Sequence, residues 1–261
     1  MRVYARRWLS ACNIRPLTTL RSLARLPRYL RDLREFRQLT TNTNDWVFGA
    51  SYPSLLDLTD SAGIASGHYF HQDLFVAQRI FERKPKRHFD VGSRVDGFVA
   101  HVAAFREIEY FDIRPITAQV TNIVFRQGDL LDCSSLPQRE CDSLSSLHVI
   151  EHVGLGRYGD RIEPDGWRIA LKSLSRMLVR GGMLYLSVPI GRQRIEFNAH
   201  RIFAPASIIG EAKEIGLKLE RFTWVDDDGV FHRQMENCNV VPENSARFQY
   251  GCGVFEFRQL L

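Results

Sequence analysis

The feature that most constrains this chain lies between Arg87 and Ile190. A short apolar strand candidate runs into a glycine turn, His88-Phe89-Asp90-Val91-Gly92-Ser93, and a second glycine follows at Gly97, where a helix can begin. Twenty positions after Gly92, a second strand candidate ends on an acid, in Glu109-Tyr110-Phe111-Asp112-Ile113. Glycines let backbone approach a ligand, and a helix start offers free N–H groups. A carboxylate at the tip of the second strand can accept from both hydroxyls of a ribose. Strand candidates continue at 122–126, 143–149, 183–188 and 217–224, with a last one near 253–258, and helical stretches lie between them. Such alternation predicts an α/β fold with a mostly parallel seven-stranded sheet covered by helices on both faces.

Composition bounds the rest. No run of about eighteen uncharged apolar residues is present to cross a membrane. The five cysteines, Cys12, Cys133, Cys141, Cys238 and Cys252, are odd in number and show no CxxC spacing. A disulfide framework is therefore not expected, and a reducing cytoplasm is the simplest setting. The net charge of +5 is uneven: residues 1–37 hold ten arginines against Asp32 and Glu35, a local +8 that leaves about −3 for the remainder. A broad nucleic-acid surface is not supported. Leu17, Leu20, Leu23, Leu30, Leu33 and Phe36 recur at helical spacing among the arginines, and Pro27 is expected to break the run. Such a basic helix suits anionic lipid or an acidic partner, or packs on its own domain with its charges solvated. The polar stretch Thr40-Thr41-Asn42-Thr43-Asn44 reads as a linker, dividing a basic helical extension (1–44) from an α/β domain (45–261).

Two further segments, Gly128-Asp129-Leu130 and Gly181-Gly182-Met183-Leu184-Tyr185-Leu186-Ser187-Val188-Pro189, complete an order that resembles the Rossmann-like class I S-adenosylmethionine-dependent methyltransferases. Longer motifs narrow the likeness. They are Gly67-His68-Tyr69-Phe70-His71-Gln72-Asp73, the loop from Asp90 to Val102, Phe111-Asp112-Ile113-Arg114-Pro115, His152 to Asp160 and Val188 to Arg201. These are similar to domain of unknown function 268, a methyltransferase-like group associated with bacterial surface-polysaccharide clusters, over roughly residues 50–235. The resemblance implies S-adenosylmethionine as cofactor, with Asp90, Gly92, Ser93 and Gly97 in the loop, Asp112 and Ile113 at the ribose, and Asp129 and Leu130 at the adenine. It supplies no substrate. One departure stands out: Arg94 replaces the middle glycine of the usual loop, and Asp96 is an added residue, so Gly97 falls one place late. Arg94 either crowds the cofactor, turns outward to an anion, or pairs with Asp96 or Asp112.

The sharpest chemical cluster is His148-Val149-Ile150-Glu151-His152, at the end of the fourth strand. H-x-x-E-H is also a zinc-protease pattern, but that requires a long helix, whereas a strand leads in here and Gly154 and Gly156 follow. Three readings stay open. His148, Glu151, His152 and a later His200 are similar to the metal set of small-RNA 2′-O-methyltransferases and would hold one divalent ion, with imidazole suiting Zn²⁺, Mn²⁺ or Fe²⁺ better than Mg²⁺. Alternatively His148 or His152 is a metal-free general base, or the group only braces its loop. His68, Tyr69, His71 and Asp73 are lid candidates, with Asp73 also a helix cap. Arg157, Tyr158, Arg192 and Arg194 either meet an anionic substrate or pair with Glu163, Asp165 and Glu196. Asp226-Asp227-Asp228-Gly229 reads as a hairpin turn rather than a metal site. The expectation is an O-methyltransferase acting on a small or glycan-linked hydroxyl. The rival is a non-catalytic module that organises partners in polysaccharide assembly.

Overall fold

A computed structural model describes residues 8–39, 48–57, 63–233 and 248–261. The expected linker at 40–44 and Cys238 lie outside them. The chain forms two compact units, Met1–Ile64 and Ala65–Leu261. In the first, helix α1 (Pro16–Leu39) buries no residue fully and leaves Leu17, Leu20, Leu23, Leu30 and Phe36 exposed beside its arginines. Pro27 does not end it. A proline forfeits one backbone hydrogen bond, and here helix-favouring leucine and arginine on both sides carry the run past it. No helix among the described residues is long and apolar enough to cross a membrane.

The second unit is the α/β body. Helix α2 (Gly67–Arg83) is amphipathic. Phe75, Val76 and Ile80 turn inward, Phe81 outward, and Lys84 closes it in a left-handed conformation, φ 48°. Strands β1 (His88–Val91), β2 (Ile108–Asp112), β3 (Ile123–Gln127), β4 (Cys141–Leu147) and β5 (Leu178–Ile190) are parallel, and β10 (Gly251–Gln259) enters antiparallel between β5 and β8 (Leu217–Val225). The order is β3-β2-β1-β4-β5-β10-β8-β9, eight strands rather than the expected seven. The added one, β9 (Phe231–His232), is the return arm of the Asp226–Gly229 hairpin, whose Asp226 carboxylate accepts from the N–H groups of Asp228 and Val230. A two-stranded ribbon, β6 (Arg194–Glu196) with β7 (His200–Ile202), was not readable beforehand because each arm is only three residues long.

Period-two side chains fill both faces of the sheet. Leu184, Leu186 and Val188 of β5 face helices α4 (Gly166–Met177) and α5 (Pro205–Glu214) through Trp167, Leu171, Leu174 and Ile208. Met183 and Tyr185 face the opposite layer, with Phe75, Val76 and Ile80 of α2 and Phe98 and Val102 after the glycine loop. Four free thiols, Cys12, Cys133, Cys141 and Cys252, are described, and none is bridged.

Candidate active site

The carboxyl ends of β1, β2 and β4 open onto a cavity of about 590 Å³, which continues into a wider, solvent-open cleft of about 1460 Å³. Crevices at this end of a parallel sheet are where such folds take ligands. Gly92 turns the chain at φ +76°, and a Cβ there would stand 2.8 Å from Val149 Cγ1, so only glycine fits. The added Asp96 is absorbed by a π-helical turn, Val95–Val99, that runs into α3 (Ala100–Ala103). Gly97 admits the carboxylate of Asp73: a Cβ would lie 2.7 Å from its Oδ2. Asp73 sits in the second turn of α2 and is not a cap; burial pushes its carboxyl up to about 6. Arg94 turns outward onto Asp96, at 2.9 Å, and over the Tyr69 ring.

Beneath the loop, Asp90 is fully buried and accepts from Ser93 N–H (3.0 Å), Ser93 Oγ (2.7 Å) and Ser145 Oγ (2.5 Å). Its burial outweighs these donors and pushes the carboxyl up to about 7. Ser93 therefore spends both its donors on Asp90 rather than offering them to the cleft.

At the tip of β2, Asp112 is nearly saturated. Oδ1 accepts from Arg114 N–H (2.8 Å) and Nε (3.0 Å); Oδ2 accepts from Tyr110 O–H (2.7 Å) and Arg114 Nη2 (2.8 Å). A carboxylate has about four such positions. Burial works against the charge, but the Arg114 and Tyr110 donors outweigh it and hold the carboxyl below its usual range. The Arg114 guanidinium in turn stacks on Tyr158. Ile113, Asp129 and Leu130 line the cavity beside Asp112, and Asp129 Oδ1 accepts from Leu131 N–H at 2.8 Å.

At the other end stands His148, the first residue after β4, held at φ +56° by bonds from its N–H to Ser187 O (3.0 Å) and Oγ (3.1 Å). Left-handed backbone is costly for a branched or ring-bearing residue and concentrates at functional sites. Its Nδ1 meets Glu151 Oε1 at 2.7 Å. Burial opposes a charge on this ring, yet Cys252 and then Glu151 lift it well above the usual histidine range. His152 differs: burial lowers it, and Nδ1 donates to Ala199 O at 2.6 Å, which leaves Nε2 as the lone-pair nitrogen. His200 packs against the Tyr250 ring at a tilt of 42° and is lowered by burial as well.

The expected four-residue metal set does not converge. Glu151 Oε1 lies 2.7 Å from His148 Nδ1 and 3.8 Å from His152 Nε2, but among the described residues the group whose ligand atoms gather within 4.8 Å is His148 with His68 and Cys252. The reason is local: Glu151 is taken up by His148, His152 turns to the Ala199 carbonyl, and the nearest acid to His200 is Glu196, at 3.8 Å. Of the arginine candidates, Arg194 pairs with Glu196 (3.1 Å), while Arg157 donates to Ala199 O and lines the cleft.

A family model described as a Caenorhabditis protein of unknown function, DUF268, covers part of the chain. Residues 125–226 match DUF268. No curated protein matches the sequence. Among solved structures, the chain is similar to the 1,6-didemethyltoxoflavin-N1-methyltransferase of Burkholderia thailandensis, solved with its substrate and S-adenosylhomocysteine. The identity is 12%, with 90% of each chain covered and a TM-score of 0.52. It is also similar to the N-methyltransferase NodS of Bradyrhizobium japonicum WM9 (14% identity, 76% of this chain and 100% of that one, TM-score 0.50). The [4+2]-cyclase SpnF matches at 12% identity, over 72% and 81% of the two chains, with a TM-score of 0.51. Identities this low establish the methyltransferase fold; the cyclase shows that the fold alone does not fix the chemistry.

The DUF268 segment holds Asp129, Leu130, His148, Glu151, His152 and His200, whereas Asp90, Gly92, Asp112 and His68 precede it and Cys252 follows it. Three participants escaped the sequence reading as site residues: Arg114, Tyr250 and Cys252. Arg114 was visible beside Asp112 in Asp112-Ile113-Arg114. The other two come from β10 and the turn before it, which Asp227 anchors by accepting from Gln249 and Tyr250 N–H, and no local pattern marks them.

Proposed function

We propose that this chain is an S-adenosylmethionine-dependent O-methyltransferase acting on a small or glycan-linked hydroxyl. One observation carries the reading: a single continuous cleft runs from the acid at the tip of β2 to a neutral histidine, His152, whose Nε2 is left with its lone pair. The residues fit the cofactor with one adjustment. Gly92 and Gly97 keep the loop low, Ile113, Asp129 and Leu130 wall the adenine position, and Asp112 takes the ribose hydroxyls once the half-exposed Arg114 guanidinium swings aside. Bound there, the cofactor supplies an electrophilic methyl group on sulfonium sulfur. The protein's part is to align the acceptor oxygen and exclude water. His152 Nε2 would take the hydroxyl proton of the acceptor, while Nδ1–H···O=C of Ala199 fixes the ring. His148, already tied to Glu151, is the poorer base.

S-adenosylhomocysteine at a hundred times its dissociation constant is expected to add about 2.7 kcal/mol of stability, and a flat melting temperature would reject the cofactor reading. His152→Ala is expected to lower turnover roughly 10²–10⁴-fold with that binding intact. The saturation of Asp112 favours the rival reading, a non-catalytic module. Ligand-independent melting combined with a folded chain would establish it.

The unit containing α1 has a separate proposed role. Its exposed leucines and arginines match an anionic lipid surface. Deleting residues 1–37 is expected to abolish pelleting with anionic vesicles. Pelleting of the full chain should fade with salt, because exposed charges are screened within about 8 Å at physiological ionic strength. Salt-insensitive pelleting would defeat the idea.

A further inference from the structure

We propose that His68, His148 and Cys252 form a binding site for a thiophilic divalent ion, with zinc the best match. Their ligand atoms lie within 4.8 Å of one another. The three come from the start of α2, the residue after β4 and the second residue of β10, so the fold assembles them where no sequence spacing does.

The hydrogen bonds around them are those of metal-binding histidines, whose second ring nitrogen is normally anchored to a carboxylate or a backbone carbonyl. His148 gives Nδ1 to Glu151 Oε1 at 2.7 Å. Its Nε2 is the nitrogen that can face an ion once the ring gives up its proton, and that atom is buried without a hydrogen-bond partner on a side chain only 3% exposed. His68 gives Nε2 to the carbonyl of Tyr250 at 3.1 Å, which leaves Nδ1 as its lone-pair nitrogen. The two rings are parallel to within 2°, their centroids 5.3 Å apart. The Cys252 sulfur is fully buried, lies against the His148 ring and makes long contacts of 3.5 Å to Gln72 Oε1 and 4.0 Å to Gly253 O.

One thiolate with two imidazoles selects a soft or borderline ion over Mg²⁺ or Ca²⁺. Tetrahedral zinc, with bonds of about 2.0–2.3 Å, needs donor–donor edges of about 3.3–3.7 Å. Convergence on one ion requires the stacked rings to turn out of parallel and the donor atoms to close by at most about 1.5 Å, both through side-chain rotation. Binding releases to solvent the protons that Cys252 and the His148 ring carry, forms the sulfur–metal and nitrogen–metal bonds, and leaves a fourth position for water or a substrate oxygen. His148 also lines the wider cleft, so the ion would stand at its wall. This set shares only His148 with the residues the sequence nominated as ligands that are still free to bind; Glu151 holds the ring instead of the ion. Nothing in the proposal depends on methyl transfer.

The test uses the full chain, treated with chelator, desalted and titrated with Co²⁺ and then Zn²⁺. One equivalent of Co²⁺ is expected, with an intense near-ultraviolet thiolate-to-cobalt band that Zn²⁺ abolishes by displacement. Cys252→Ser should remove the band, and His68→Gln should weaken binding at least tenfold while keeping it. Glu151→Gln should weaken binding by about 10–100-fold and also keep the band. Cys133→Ser, whose sulfur meets Arg176 at 3.5 Å instead of this cluster, should change nothing. His68 is only partly buried at a helix start, so its variant remains informative where Cys252→Ser fails to fold. The proposal is overturned by the absence of stoichiometric binding, by a band that survives Cys252→Ser, or by His68→Gln that binds as tightly as the parent.

Discussion

At the glycine-loop end of the cleft the carboxylates are closed upon their own protein, Asp90 by Ser93 and Ser145, Asp112 by Tyr110 and Arg114. At the histidine end, by contrast, three buried polar atoms have no hydrogen-bond partner among the described residues: His148 Nε2, Glu151 Oε2 and His200 Nε2. Leaving such a group unmatched costs about 1–3 kcal/mol. The first end is preorganised, and a ligand must displace something to enter. The second holds open valences, and a ligand completes them. Stability and binding are therefore expected to respond in opposite ways at the two ends.

The largest effect should come from Glu151→Ala, which strands His148 and is expected to cost about 3–5 kcal/mol in denaturant unfolding. A loss below about 1 kcal/mol would erase the contrast, because the histidine end would then be no more demanding than a surface. Next, Asp112→Ala should weaken S-adenosylhomocysteine binding by about 1.5–3 kcal/mol in calorimetry; unchanged affinity removes Asp112 from the site.

His88, under the glycine loop, supplies a third probe. It is fully buried between Ser143 Oγ (2.8 Å) and Ser145 Oγ (3.2 Å), and burial pushes it down to about 3. The fold therefore needs the neutral ring. The stability this provides is present above the unfolded histidine value near 6.5 and is lost as pH falls toward 3. Between pH 6 and 4 the parent is expected to lose about 1.4 kcal/mol per pH unit from this residue alone. His88→Gln should flatten that slope, and equal slopes would place the acid sensitivity elsewhere.

The smallest effect carries the opposite sign. Arg114 competes for Asp112 but is half exposed, where an ion pair contributes at most about 1 kcal/mol. Arg114→Ala should accordingly tighten S-adenosylhomocysteine binding by about twofold to fivefold. Weaker binding would make Arg114 a ligand holder and not a competitor.

Much of this was legible in the chain. The central strands announced themselves because both of their faces are buried, and β2 and the hairpin at Asp226–Gly229 fall where their patterns place them. The glycine loop was readable for the same reason that it works: backbone conformation is written locally. Even the added Asp96 could be counted, though its resolution as a π-helical turn depends on how Phe98 and Val99 pack. The ring orientations of the histidine cluster were not legible, because a motif lists neighbours in sequence, whereas a ring is turned by whichever partner the fold brings to it. Ala199 turned His152, Glu151 took His148, and His68 and Cys252 arrived from opposite ends of the α/β unit.

β10 lies between β5 and β8, both of which precede it in the chain. A ribosome delivers it only after both of its neighbours, so for that interval each of them presents a row of unpaired backbone groups, the kind of edge along which chains stick to one another. The glycine turn and the acid at Asp112 can be in place early; Tyr250 and Cys252 come last. The molecule is thus most exposed to its own kind just before the histidine end of its cleft is finished, and the strand that finishes it is also the one that seals the sheet.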